Sequence, residues 1–114
     1  MFSSELQRAR VCRAFCARAR LAELWTENGP TSEARALLEN DGGALSSGER
    51  LVILIAWSLW SGCNHVGLGD VLCNHDSTSL SMLGKLMVAG GRGSEAVEAW
   101  LAEQENRRRG VGHA

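Results

Sequence analysis

Two copies of one tripeptide, Cys63-Asn64-His65 and Cys73-Asn74-His75, stand ten residues apart. Their two thiols and two imidazoles make a donor set that tetrahedral zinc accepts. Each Cys and His, however, are separated by one residue, where structural zinc sites place roughly two to four between paired ligands. The competing reading makes Cys63 and Cys73 small buried hydrophobes and His65 and His75 helix-end caps. Zinc held by Cys63, His65, Cys73 and His75 is therefore an alternative, and the leading expectation is a chain without a cofactor. Cys12 and Cys16 lie four apart, on one helix face, without the Cys-x-x-Cys spacing that lowers a thiol pKa. They are expected to border a packed surface.

Catalytic motifs are sparse. Gly90-Gly91-Arg92-Gly93 lacks the following Lys-Ser or Lys-Thr of a phosphate loop and reads as a helix stop. The Ser, His and Asp residues between His65 and Ser79 form no nucleophile elbow. The expectation is a protein that binds rather than one that catalyses.

Two other residue types invite binding chemistry. Arg10, Arg13 and Arg20 share a stripe of the first predicted helix, and Arg107, Arg108 and Arg109 form a run near the other end. Together they make an electrostatic footprint for phosphates, or else a solvated face. The four tryptophans, Trp25, Trp57, Trp60 and Trp100, can each bury about 200 Å². Tryptophan and arginine are also the favoured anchors of protein interfaces. Trp57, Trp60, Trp25, Trp100, Arg10, Arg13 and Arg20 are therefore the candidate interface residues.

The elements that must position these groups are helical. Ser3 or Ser4 caps a first helix running to about Asn28, where Asn28-Gly29-Pro30 stops it, with Val11, Ala14, Phe15, Ala22 and Trp25 on its apolar face. A short helix over Ser32 to Asn40 ends at Asp41-Gly42-Gly43. Ser46 and Glu49 fit a capping box for a helix that is apolar almost all round, about residues 47–61. Val66 to Cys73 predicts a short helix. Asp76 or Ser77 caps another, in which Leu80, Leu83, Leu86 and Met87 share a face before Gly90-Gly91 closes it. Ser94 caps the last, with Val97, Trp100 and Leu101 on one side, and Glu103 and Arg107, like Glu105 and Arg109, at ion-pairing spacing. No sustained period-2 pattern bounded by hairpin turns is visible. The fold class expected is all-α: a single compact bundle of five or six helices around the central apolar one, occupying residues 1–109, with 110–114 a frayed tail.

Ser46 to Gly91 has a rhythm that resembles bacterial helix-turn-helix regulators, winged ones in particular. The matching parts are Leu51–Trp60, then Leu68-Gly69-Asp70-Val71-Leu72, a turn through Asn74, and Ser77-Thr78-Ser79-Leu80. The resemblance implies a DNA-binding regulator using residues 67–89, with Ser77, Thr78, Ser79, Ser81 and Lys85 facing the major groove. Arg107, Arg108 and Arg109 would then add phosphate contacts. The sequence departs from that pattern in three ways: Lys85 is the one base of the second helix, Asp70 and Asp76 oppose phosphate, and no strand pair comes after it to form a wing.

Composition sets the remaining bounds. The 114 residues are 45% hydrophobic and 22% charged, with a net charge of −1. Residues 1–25 and 107–109 each carry a net +3, against −7 between them. Eleven of the twelve basic residues are Arg, a bias that fits a GC-rich bacterium, phage or mobile element. No export signal opens the chain, and the longest apolar run, Leu51 to Trp60, spans about half of a bilayer core. A cytoplasmic location with reduced cysteines and no membrane partner is expected. The expected function is that of a small non-enzymatic protein–protein interaction factor, an adaptor, inhibitor or immunity-type protein. Its partner would be another protein or a second copy of the chain, with nucleic acid and zinc as the alternatives.

Overall fold

Ser4 opens the first helix: its hydroxyl accepts from the Gln7 amide at 3.1 Å and satisfies one of the donors a helix start leaves unpaired. The computed structural model describes residues 2–40, 43–63, 65–73 and 77–108. This helix, α1, spans Glu5–Arg18 and so stops well short of the expected end near Asn28. The reason is local. The Leu21 amide donates to the Cys16 carbonyl at 2.7 Å and the Arg20 amide to Ala17 at 3.0 Å, the two bonds of a Schellman turn. Arg20 occupies the left-handed position of that turn, at φ +63°.

After it come a 3-10 turn (Ala22–Leu24) and two short strands, β1 (Trp25–Thr26) and β2 (Gly29–Pro30), paired antiparallel with Trp25 opposite Pro30. Trp25 thus enters the core from a hairpin and not from the face of α1. Strands of two residues are too short to leave an alternating pattern in the sequence.

Helix α2 (Ser32–Glu39) is capped by Thr31, whose hydroxyl accepts from Ala34. Helix α3 (Ser47–Ser61) carries the predicted capping box in both directions: Glu49 N to Ser46 Oγ at 3.2 Å, and Ser46 N to the Glu49 carboxylate at 3.0 Å. Beyond it lie α4 (Leu68–Cys73), α5 (Ser77–Arg92) and α6 (Ser94–Arg108). Gly90 and Gly91 do not close α5. They are helical, and the chain turns one step later at Gly93, φ +119°. The predicted turn residues Asp41 and Gly42 and the predicted cap Asp76 lie outside the described residues, as does the tail from Arg109. The fold is all-α, with six α-helices and one small ribbon among the described residues.

Helix α3 is apolar from Leu51 to Trp57 and is covered there from two sides. Leu51, Val52 and Ile55 join Val11 and Phe15 of α1 and the inner faces of α5 and α6 in one cluster. Ile53, Ala56 and Trp57 join Cys12, Cys16, Trp25 and Ala34 in a second, beneath the hairpin and α2. The pair α1–α3 is therefore a middle layer. Phe15 stacks on Trp100 with ring centroids 5.7 Å apart, tying that layer to α6.

A polar clamp fixes the α1–α6 contact. Gln7, almost fully buried, accepts from the Ser3 amide and donates to Ser94 and to the Glu98 carboxylate at 3.0 Å. Arg10 bridges Glu98 and Glu105, each at 2.8 Å. The hydrogen bond from Gln7, and after it the one from Arg10, holds the Glu98 carboxyl below the usual carboxylate range. A folded value below the unfolded one contributes stability above about pH 4.3, lost as pH falls through the lowered folded value. Glu98→Gln is expected to flatten the acid limb of a plot of Tm between about pH 3 and 6, and to leave the neutral-to-alkaline part parallel to wild type.

Candidate functional site

Two concave features stand out among the described residues. The first is an open groove of about 910 Å³ along α3. Ser47, Arg50 and Leu51, then Leu54, Ile55, Ser58 and Leu59, line it at i, i+3, i+4, i+7, i+8, i+11, i+12 spacing, one stripe running from the first turn of the helix to the last. The floor is thus about 18 Å long. His65, Val66 and Asp70 form one wall and Leu83 of α5 lies opposite. Leu68 on its rim is 70% exposed, and neighbouring Leu72 is 66% exposed. On α5, Leu83 is part-buried, whereas Met87, four residues on, is 64% exposed.

The second feature is a cleft of about 380 Å³ that gathers the arginines. Arg10, Arg13, Arg18 and Arg20 come from α1 and its Schellman turn, Thr26 and Glu27 from the hairpin tip, Thr78 and Met82 from α5, and Gln104, Glu105 and Arg107 from α6. The sequence-predicted Arg10, Arg13 and Arg20 are thereby joined to Arg107, which is remote in the chain. Arg10 is neutralised by Glu98 and Glu105, and Arg107 pairs with Glu103 at 2.9 Å, as their spacing predicted. The expected Glu105–Arg109 pair involves a residue outside the described ones. Arg13 and Arg20 are exposed and have no ion-pair partner among the described residues.

The tryptophans are placed differently from the expectation that they anchor an interface. Trp25, Trp57 and Trp100 are no more than 5% exposed. Trp57 donates to the Ala34 carbonyl and Trp100 to that of Met82. Trp60 is part-buried, edge-on to Trp25 at 6.2 Å and laid against Gly29. The small helices and the hairpin use these rings as core, because a chain of this length has few other large side chains to fill it. The large apolar side chains left open among the described residues are aliphatic instead: Leu6, Leu68, Leu72, Met87 and Val88.

Of the positions assigned to a recognition helix, Thr78, Ser81 and Lys85 are exposed, whereas Ser79 is 3% exposed and faces the core. The i, i+3, i+7 set and Ser79 lie on different sides of one helix, so they cannot face one groove together. Lys85 sits 3.9 Å from Glu103. Of Ser77 and Arg108 only the backbone is described, and Arg109 lies outside the described residues. Directly after α5 the chain enters helix α6.

Cys63 and Cys73 are exposed, not buried as small hydrophobes. His65 meets the Ser61 hydroxyl at 3.2 Å and the edge of Trp57. His75 lies outside the described residues, and among those described no three His, Cys, Asp or Glu side chains gather. Cys12 and Cys16 are fully buried, as their helix face predicted, and Cys12 donates to the Ala56 carbonyl. Burial pushes the Cys16 thiol up to about 12, and that of Cys12 higher still. Native iodoacetamide treatment is expected to alkylate Cys63 and Cys73 within minutes and to spare Cys12 and Cys16 until the chain is unfolded, as read by peptide mass spectrometry.

Neither a protein-family model, nor a curated protein, nor a solved structure matches this chain. The geometry carries the functional reading by itself.

The groove and several cleft residues leave no mark in the sequence, for identifiable reasons. Arg18 reads as one more base of a continuous helix, and Gln104 carries no signal of burial. Leu51, Leu54, Ile55 and Leu59 of the stripe are apolar like the core residues of α3, so only the placement of its neighbours separates floor from core.

Proposed function

We propose that this chain is a non-catalytic protein-binding module whose α3 groove receives an amphipathic helix of a partner protein. One observation carries the reading: the central helix, apolar through most of its length, packs into two core clusters and still lines an open groove with Leu51, Leu54, Ile55 and Leu59. A floor about 18 Å long accommodates roughly three helical turns, with apolar residues at i, i+3 or i+4, and i+7 filling it. Exposed Leu68 and Leu72 extend the apolar surface beside it, while Arg50, His65 and Asp70 supply polar groups along its lining. An adaptor, inhibitor or immunity-type role, in a bacterium, phage or mobile element, fits the arginine-rich composition. A reducing, cytoplasmic setting fits four free thiols.

A photo-crosslinking residue in place of Leu54, compared with one in place of Glu33 on the exposed side of α2, tests the proposal. Adducts from the Leu54 position should map to one helical segment of one partner, and Leu68→Asp should abolish them while leaving the helical signal of the chain intact. Equal yields from the Glu33 position, adducts to a second copy of the chain alone, or persistence in Leu68→Asp would each refute it.

A further inference from the structure

We propose that the arginine cleft between α1, the hairpin tip, α5 and α6 is a binding site for a small phosphomonoester, with Arg13 and Arg20 gripping the phosphate and Gln104 reading the organic part.

Three independent features converge there. The first is charge. Five guanidinium groups and two carboxylates line the cleft, and Arg10 already occupies Glu105. Arg13 and Arg20 remain without an acid among the described residues, and two forked cations match a phosphate dianion. The second is Gln104. It is nine-tenths buried in the cleft wall, yet its side-chain amide makes no hydrogen bond among the described residues. The body of the side chain is packed while its amide tip stays open to the cleft, where a ligand would lie. The third is the backbone of Arg20. A left-handed position at the end of a helix is usually glycine, and a long charged side chain there is held against a conformational cost. Glycine would close the same turn with less strain but could not put a guanidinium into the cleft.

The shape selects the class of phosphate. At about 380 Å³ the cleft is within the range of small-molecule sites, and Ala14, Ala17 and Met82 give the carbon part of a ligand an apolar surface. Duplex or single-stranded nucleic acid prefers an open basic track, whereas here Glu27 stands at the hairpin tip and Glu105 in the wall.

Calorimetric titration and thermal shift with inorganic phosphate, ribose 5-phosphate and a short thymidine oligonucleotide test the site. Ribose 5-phosphate should bind more tightly than inorganic phosphate, and the oligonucleotide more weakly than either. Arg13→Gln should weaken both small ligands about tenfold. Arg20→Gly should weaken them by a similar factor while raising the Tm of the ligand-free protein, a pairing that a purely structural Arg20 would not give. Gln104→Leu should weaken ribose 5-phosphate and leave inorganic phosphate unchanged, and Arg92→Gln, on the far end of α5, should change nothing. No binding of either small ligand at millimolar concentration, unaltered affinity in Arg13→Gln and Arg20→Gly, or tightest binding by the oligonucleotide would overturn the assignment.

Discussion

Trp25→Ala is expected to remove about 4 kcal/mol of folding stability, and Trp25→Phe no more than about 1 kcal/mol. Trp25 is 1% exposed and is the largest of the fully buried side chains. It meets Trp57 edge to face at 5.1 Å and Trp60 at 6.2 Å, and it joins the hairpin to the α1–α3 layer. Truncation to alanine leaves a cavity that two other rigid rings cannot collapse into, which places the cost at the upper end for large-to-small changes. Against a total of roughly 5–15 kcal/mol for a domain of this size, that loss lowers Tm on the order of 15 °C. Phenylalanine behaves differently because of one atom. The indole Nε1 of Trp25 is buried with no hydrogen-bond partner among the described residues, and an unpaired buried donor costs roughly 1–3 kcal/mol. Removing it offsets much of the volume lost with the second ring. Urea unfolding followed by circular dichroism, which does not depend on the fluorophore being changed, separates the two variants. A loss in Trp25→Phe well above about 1 kcal/mol would mean that removing the N–H does not offset the lost volume.

Gly29→Ala is expected to cost about 3 kcal/mol or more, a large effect for one methyl group on a two-residue strand. Gly29 sits at φ +112°, a conformation that side-chain-bearing residues rarely adopt. A Cβ there would also come within 2.6 Å of Trp60 Cζ2 and 2.9 Å of Cη2. The Trp60 ring belongs to the last turn of α3, whose end is fastened by Arg8 donating to the Trp60 carbonyl at 3.2 Å. It has little room to retreat. The two contributions are separable by a double-mutant cycle. Trp60→Ala should relieve the clash but not the backbone strain, so the Gly29→Ala/Trp60→Ala chain should be more stable than the sum of the single losses predicts. Strict additivity would show that the strain at φ +112° accounts for the whole effect.

Both effects run through the hairpin, the element that periodicity does not reveal. The apolar spacing of α1 continues through Ala22 and Trp25, and that continuity taken alone predicts a helix as far as Asn28. What breaks it is the Schellman turn at Cys16–Leu21, built around an arginine in a position where glycine is the usual signal. With the helix stopped at Arg18, Trp25 swings into the second cluster, and Arg18 and Arg20 turn towards α6 to complete the basic cleft.

Legible in the residues alone were the all-α class, the start of α3 at its capping box, the burial of Cys12 and Cys16, and the Glu103–Arg107 pair. Each of these comes from bonds or periodicity within about four residues, the range over which a helix specifies itself. Tertiary packing alone decided which tryptophans are core, which side of α3 became a groove floor, and that Arg13, Arg20, Gln104 and Arg107 border one cleft. Those outcomes depend on contacts between residues as many as 95 positions apart in the chain, as Arg10 and Glu105 are. The run from Leu51 to Trp57 is unbroken apolar sequence and carries no mark of which face its neighbours will leave uncovered.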